Sequence, residues 1–183
     1  MMMMMTKRRL MLALTSASSA LLLSGCASQS IENYANQQPE MDLQQYFNGT
    51  LDAYGVFTDR SGAVVKRFTV LMLCSWTGDD GVLNEYFSYS DGTKQTRIWH
   101  LKKMGNGRFV GRADDVVGEA LGESRGNAFH WTYTLRLPVD KSVYEVQFDD
   151  WMYLLTDKVM LNKAAMSKFG VRLGEVTLSF TKR

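Results

Sequence analysis

From Leu51 to the C-terminus, large apolar residues tend to recur at every second position, and short clusters of Asp, Asn, Ser and Gly interrupt them at near-regular intervals. A period of two is the signature of strands with one buried face, and Asp-Gly and Asn-Gly supply the positive φ of tight hairpins. Such punctuation falls at Asp59-Arg60-Ser61-Gly62, Gly78-Asp79-Asp80-Gly81, Ser90-Asp91-Gly92-Thr93 and Gly105-Asn106-Gly107. Further breaks are expected at Gly118 to Asn127, Pro138 to Ser142, Thr156-Asp157-Lys158 and Phe169-Gly170. The spacing predicts nine or ten strands and an all-β class. Consecutive hairpins favour an antiparallel up-and-down meander closed into a β-barrel, because closure leaves no sheet edge. A two-sheet sandwich is the alternative. Ahead of the strands, Asp42 is placed to cap a short helix ended by Gly49, with Leu43, Tyr46 and Phe47 on one side. The stretch from Ala27 to Glu40 is polar and without period, and reads as a tether.

Two hairpins can be set in register. In Phe129–Leu137 and Tyr144–Met152 a slip of one residue would put charges against aromatics, so one parity alone is acceptable. It pairs Leu137 with Tyr144, Leu135 with Val146, Tyr133 with Phe148 and Phe129 with Met152; on the other face Arg136 meets Glu145 and Thr134 meets Gln147. Asp150 then lies opposite Trp131 on the apolar face while Asp149 points out. A buried carboxylate must be bonded or protonated, so Asp150 is either a tie between strands or a ligand contact. For Val82 to Leu101, a two-residue turn would set Tyr86 opposite Arg97 and Asn84 opposite Trp99. Both faces of that hairpin mix apolar and charged residues, so its inward face stays open, and the interior charge is Glu85 or Arg97. Glu85, Arg97, Trp99, Trp131, Tyr133 and Asp150 are the candidate ligand-binding residues.

The N-terminus changes the setting. Lys7, Arg8 and Arg9 precede an apolar run from Leu10 to Leu23, and Leu23-Ser24-Gly25-Cys26 follows the pattern of a bacterial lipobox. The expected organisation is a signal peptide at 1–25, a lipidated tether at 26–40 with Cys26 as the lipid anchor, and one barrel domain at 41–183. Ala27, rather than Asp, after the cysteine points to the outer membrane, with the domain facing the periplasm. From residue 26 onward the chain carries 18 Lys+Arg against 19 Asp+Glu, so it offers no basic field for nucleic acid. Cys74, the other cysteine, sits on a strand face with Phe68, Val70, Met72 and Trp76 and reads as a buried apolar side chain.

Catalytic constellations are not found. His100 and His130 are too few for a three-ligand catalytic zinc site unless carboxylates join, no H-x-x-x-H spacing exists, and no nucleophile elbow, P-loop or dinucleotide fingerprint occurs. His130 falls on the polar face of its strand. The doublets Asp79-Asp80, Asp114-Asp115 and Asp149-Asp150 would point to opposite faces within strands, so none pairs two carboxylates in one cleft. No cofactor and no metal site is read from the sequence.

Gly55-Val56-Phe57-Thr58-Asp59-Arg60-Ser61-Gly62, Arg67-Phe68-Thr69-Val70, Tyr89-Ser90-Asp91-Gly92, Arg97-Ile98-Trp99 and Asp115-Val116-Val117-Gly118 form an ordered series. It continues through Gly126-Asn127-Ala128, Phe148-Asp149-Asp150-Trp151-Met152, Asn162-Lys163-Ala164, Phe169-Gly170-Val171 and Gly174-Glu175-Val176-Thr177-Leu178. Together these resemble the bacterial lipoproteins of domain-of-unknown-function family 3833, with Lys163 standing where Arg is expected. The resemblance implies a lipocalin-like (calycin-type) barrel of about eight to ten strands on a lipid anchor, a lipid-related role, and no catalytic residues to carry over. The expected function is therefore a membrane-anchored envelope barrel binding a fatty acid, another lipid or an apolar small molecule. The alternatives are a solid-core barrel that docks an envelope protein partner and, more distantly, a lipid-modifying enzyme.

Overall fold

The computed structural model describes residues 29–139 and 141–183; the expected signal peptide and the expected lipid anchor Cys26 lie outside the described residues. Ten strands follow a short helix: β1 (Gly49–Asp59), β2 (Val64–Thr77), β3 (Asp80–Tyr89), β4 (Lys94–Gly105), β5 (Arg108–Arg112), β6 (Ala120–Arg125), β7 (Ala128–Val139), β8 (Ser142–Leu154), β9 (Val159–Lys168) and β10 (Val171–Lys182). Each pairs antiparallel with its sequence neighbours, and β1 pairs with both β2 and β10, through contacts such as Ala53 opposite Phe180. The sheet closes on itself as an up-and-down barrel rather than a sandwich. The glycine-bearing stretch after Gly118, expected as a loop, instead contains β6, which pairs Gly122 with Trp131. Its alternation is weak because Gly122 fills an inward position where a larger side chain would signal a strand. A Cβ there would lie 2.4 Å from the Phe129 ring.

The two ends of the barrel differ. At the end where β1 begins, α1 (Leu43–Tyr46) and its flanks form a plug, with Met41, Leu43, Tyr46 and Phe47 all buried. Asp42 caps the helix by accepting from the Gln45 amide at 3.0 Å, as its position in the sequence predicts. The Trp76 indole donates to the Phe47 carbonyl at 2.8 Å, and the Tyr46 hydroxyl lies 3.1 Å from the carbonyls of Lys158 and Phe180. Interior side chains near this plug, such as Leu51, Met72, Phe129 and Met160, are almost fully buried. Towards the opposite end, Phe57, Phe68, Phe87, Leu137, Val176 and Leu178 still pack on the core but are only partly covered. The barrel is thus plugged at one end, while at the other its interior side chains are only partly covered.

The expectation of a free tether up to Glu40 is corrected for residues 29–40. A single 3-10 turn, Ile31–Tyr34, packs on the outside of the barrel. Tyr34 lies against Trp151 and Tyr153 with ring centroids 5.9 and 5.5 Å away, and Glu32 pairs with Arg125 at 3.1 Å. Gln29 reaches the Tyr153 hydroxyl, and the Met41 amide donates to the Gly126 carbonyl. Gly126 has φ +49°, and a Cβ there would sit 1.8 Å from the Tyr34 carbonyl oxygen. The segment lacks a period because one tyrosine and a few polar contacts hold it, not a face of its own.

Candidate functional site

The β7–β8 hairpin has the register that alternation predicts. Leu137 faces Tyr144, Tyr133 faces Phe148, Arg136 faces Glu145, and Asp150 faces Trp131 without a bulge. Asp150 is 4% exposed, while Asp149 points outward to His130 at 2.7 Å. His130 is therefore a surface residue, stacked on Trp151 at 4.1 Å.

The β3–β4 hairpin corrects the sequence reading by one residue. Tyr89 and Thr93 close a three-residue loop in which Gly92 has φ +84°, rather than the two-residue turn expected. A type I turn followed by a left-handed glycine has odd length and shifts the pairing parity. Arg97 accordingly faces Glu85, and Trp99 faces Leu83, in place of Tyr86 and Asn84. The faces now sort: Leu83, Trp99 and Leu101 are buried, whereas Tyr86 and Ile98 are exposed on the outside. Both Glu85 and Arg97 are interior charges, with side chains 13% and 15% exposed.

All six candidate residues converge inside the barrel. The Trp99 and Trp131 rings lie 4.7 Å apart, and Tyr133 packs edge-on to both at 5.4 and 5.3 Å. On its other side Tyr133 stacks on Phe148, and its hydroxyl donates to Asp150 at 3.0 Å. Two partners were not marked by sequence pattern. Asn162 on β9 is 2% exposed and donates its amide to Asp150 and to the Trp151 carbonyl. Asp115 belongs to the segment between β5 and β6, which turns in along β7: Val117 donates to the Thr134 carbonyl, and Arg136 donates to that of Asp115. Asp115 is thereby aimed at Arg97 and accepts from its Nε at 3.0 Å and its Nη2 at 2.8 Å, while Asp114 stays exposed. The doublet is split as expected, but by a turn rather than by a strand.

Electrostatics follow from this arrangement. Burial pushes the Glu85 carboxyl up to about 7, although Arg97 opposes the rise, and the Asp115 and Asp150 carboxylates add to it. Burial also raises Asp150 to about 6, against hydrogen bonds from Asn162 and Tyr133 and the nearby Trp131 indole, whose N–H favours the carboxylate without reaching bonding geometry. Burial disfavours the Arg97 cation, but Glu85 and Asp115 outweigh it and hold the guanidinium charged. Tyr133 is raised well above its ordinary value, first by burial and then by the Asp150 charge. Arg97 Nη1 stands 3.8 Å from Glu85, an ion-pair distance beyond hydrogen bonding, so this donor has no acceptor among the described residues. The Phe87 ring lies 5.5 Å from the guanidinium carbon. The site is a charged cluster set among aromatics between the plugged half and the partly covered end of the barrel. Below it, a cavity of about 30 Å³ touches Glu85, Trp99, Trp131 and Met152, which is room for about one water. Cys74 is buried, and burial pushes its thiol up to about 12, in keeping with an apolar filler.

Comparison with known proteins agrees on the fold. The S-type phycobiliprotein lyase CPES of Guillardia theta superposes with a TM-score of 0.57 at 8% identity, over 85% of this chain and 97% of that one. A protein with unknown function from the DUF3598 family, of Nostoc punctiforme PCC 73102, gives 0.56 at 9% identity over 80% of this chain. The match spans about half, 51%, of the length of that second protein. At such identities the likeness shows the fold alone, a lipocalin-like barrel. No curated protein matches the chain. The chain belongs to the family described as protein of unknown function (DUF3833), whose profile matches residues 20–182.

Proposed function

We propose that this DUF3833 member is an envelope lipoprotein that binds a fatty acid or related amphipathic lipid in the unplugged half of its barrel. Acylated Cys26 holds it on the outer membrane, with the barrel in the periplasm. The observation that carries the reading is the Arg97 cluster, set beneath the partly covered aromatic and aliphatic side chains of the unplugged end. A binding site needs a few convergent polar groups in an apolar recess, and Arg97 Nη1 is a charged donor without an acceptor among the described residues. A ligand carboxylate would take that donor. Glu85, whose carboxyl burial pushes up to about 7, would donate a second hydrogen bond when protonated. The acyl chain would lie towards Phe57, Phe68, Phe87 and Leu178. Likeness to a phycobiliprotein lyase is in keeping with a barrel that holds an organic molecule.

The second reading, a solid barrel that docks an envelope partner, is favoured by the small volume in the plugged half. The test separates them. A chain beginning at residue 27, exported without the anchor and purified without detergent, is analysed by native mass spectrometry and by lipid mass spectrometry of its solvent extract. A stoichiometric acyl species that falls away in Arg97→Met supports the binder. A bare protein mass that stays unchanged after incubation with oleic acid and phospholipids favours the docking module.

A further inference from the structure

We infer that the hairpin tips at the unplugged end, centred on Phe169, dock the barrel onto an anionic lipid bilayer. The inference extends the reading above without depending on a ligand inside, because a filled barrel would dock equally well.

Phe169 and Gly170 form the two-residue turn between Lys168 and Val171, with φ of +50° and +75°. Positive φ at both central positions is the geometry that favours Asn-Gly, and a bulky aromatic in the first of them is strained. The strain has no internal return, since Phe169 is 90% exposed. Strain retained at a surface position points to an external contact. Its neighbours have the same character: Val143 is 64% exposed, Val171 52% and Tyr144 42%. Apolar tips projecting together from one rim are an interaction surface rather than scattered exposed residues.

The charges select the occupant. Lys168 lies over the Tyr144 ring at 4.5 Å and near the Phe169 ring at 5.3 Å, and no carboxylate among the described residues pairs with it. Arg136 shares a groove with Lys168, Val143 and Phe169 on the barrel's outer face, and its contact with Glu145 is a loose 4.0 Å. Aromatic and aliphatic tips with cations just behind them match a bilayer boundary: apolar groups enter the acyl margin while the cations meet lipid phosphates. A protein partner built to this surface would need to pair the same cations, whereas a membrane of acidic lipid presents that charge without further design.

The test is flotation of the chain from residue 27 with vesicles of equal parts phosphatidylethanolamine and phosphatidylglycerol. Residues 29–183 contain every strand and the plug, so this chain keeps the folded unit. The wild type is expected to float. Phe169→Asn, which suits the turn, should keep or raise the melting temperature while weakening partitioning by about tenfold or more. Lys168→Glu should remove the preference over phosphatidylcholine vesicles. A wild type that stays with the soluble fraction, or a Phe169→Asn variant that floats equally well, overturns the assignment. Ligand content is a separate readout, so failure at the rim and failure at the interior site are told apart.

Discussion

Replacing Asp150 by Asn should reshape the dependence of stability on pH. Asp150 is buried against Tyr133 and Asn162, and burial lifts its pKa from 3.8 to about 6. The folded state thus binds this proton more tightly than the unfolded chain does. The associated stability is fully present below the unfolded value near 3.9, and is lost as pH rises through about 6. The rise corresponds to about 3 kcal/mol. Asn cannot ionise, so the variant escapes this loss. For a domain of this size, about 3 kcal/mol moves the melting temperature by about 6–12 °C. Between pH 4 and 8, the melting temperature of Asp150→Asn relative to wild type should therefore climb by about that amount. Scanning calorimetry on the chain from residue 27 measures it. Glu85, also raised, titrates in both proteins; only the share of its rise that the Asp150 carboxylate supplies is lost in the variant, which acts in the same direction. A curve for Asp150→Asn that runs parallel to wild type would refute the buried, proton-holding assignment.

Arg97→Met should destabilise the barrel by about 3 kcal/mol in urea denaturation, because it strands the Asp115 and Glu85 carboxylates in the interior. Arg97→Lys should recover only part of this, since an ammonium lacks the planar fork that meets Asp115 through two nitrogens. Losses below about 1 kcal/mol would mean that water already serves the cluster. Gly126→Ala should release the outer N-terminal segment while leaving the barrel folded. Hydrogen exchange should then rise at Ile31–Tyr34 and not at β7. With its thiol raised to about 12 by burial, Cys74 should resist iodoacetamide at pH 8 until the protein is denatured.

The sequence made one hairpin legible and not the other, for a physical reason. In β7 and β8 the alternation is broken only around Asp150 and Trp151 and the penalty for a slip is large, so parity follows from side chains alone. In β3 and β4 both faces carry charge, and parity passes to the loop. Ser90-Asp91-Gly92-Thr93 suits a two-residue or a three-residue turn, and a single left-handed glycine decides between them. The choice exchanges Tyr86 for Glu85 opposite Arg97 and so defines the site. Asp115 had no periodic signal, because a loop that folds back along β7 aims it inward. The docked N-terminal segment left one trace in the sequence, the large aromatic Trp151 on the polar side of β8, which the Tyr34 ring meets. The fold class needed none of these details, since turn spacing alone implies sequential hairpins.

The pinned segment also sets mechanical limits. Gln29 is bonded to Tyr153 near the plugged end of β8, and three residues back along the chain is Cys26. Three residues span at most about 11 Å. An acyl group on Cys26, as proposed, would be a short leash and not a long flexible line. The domain would pivot about a point on β8 instead of sampling a wide hemisphere, and that same strand leads along the barrel wall to Val143 and Tyr144 at the rim. Such a pivot would raise the effective concentration of the rim at a bilayer that held the anchor. The anchor and the rim contact on one wall would then reinforce each other.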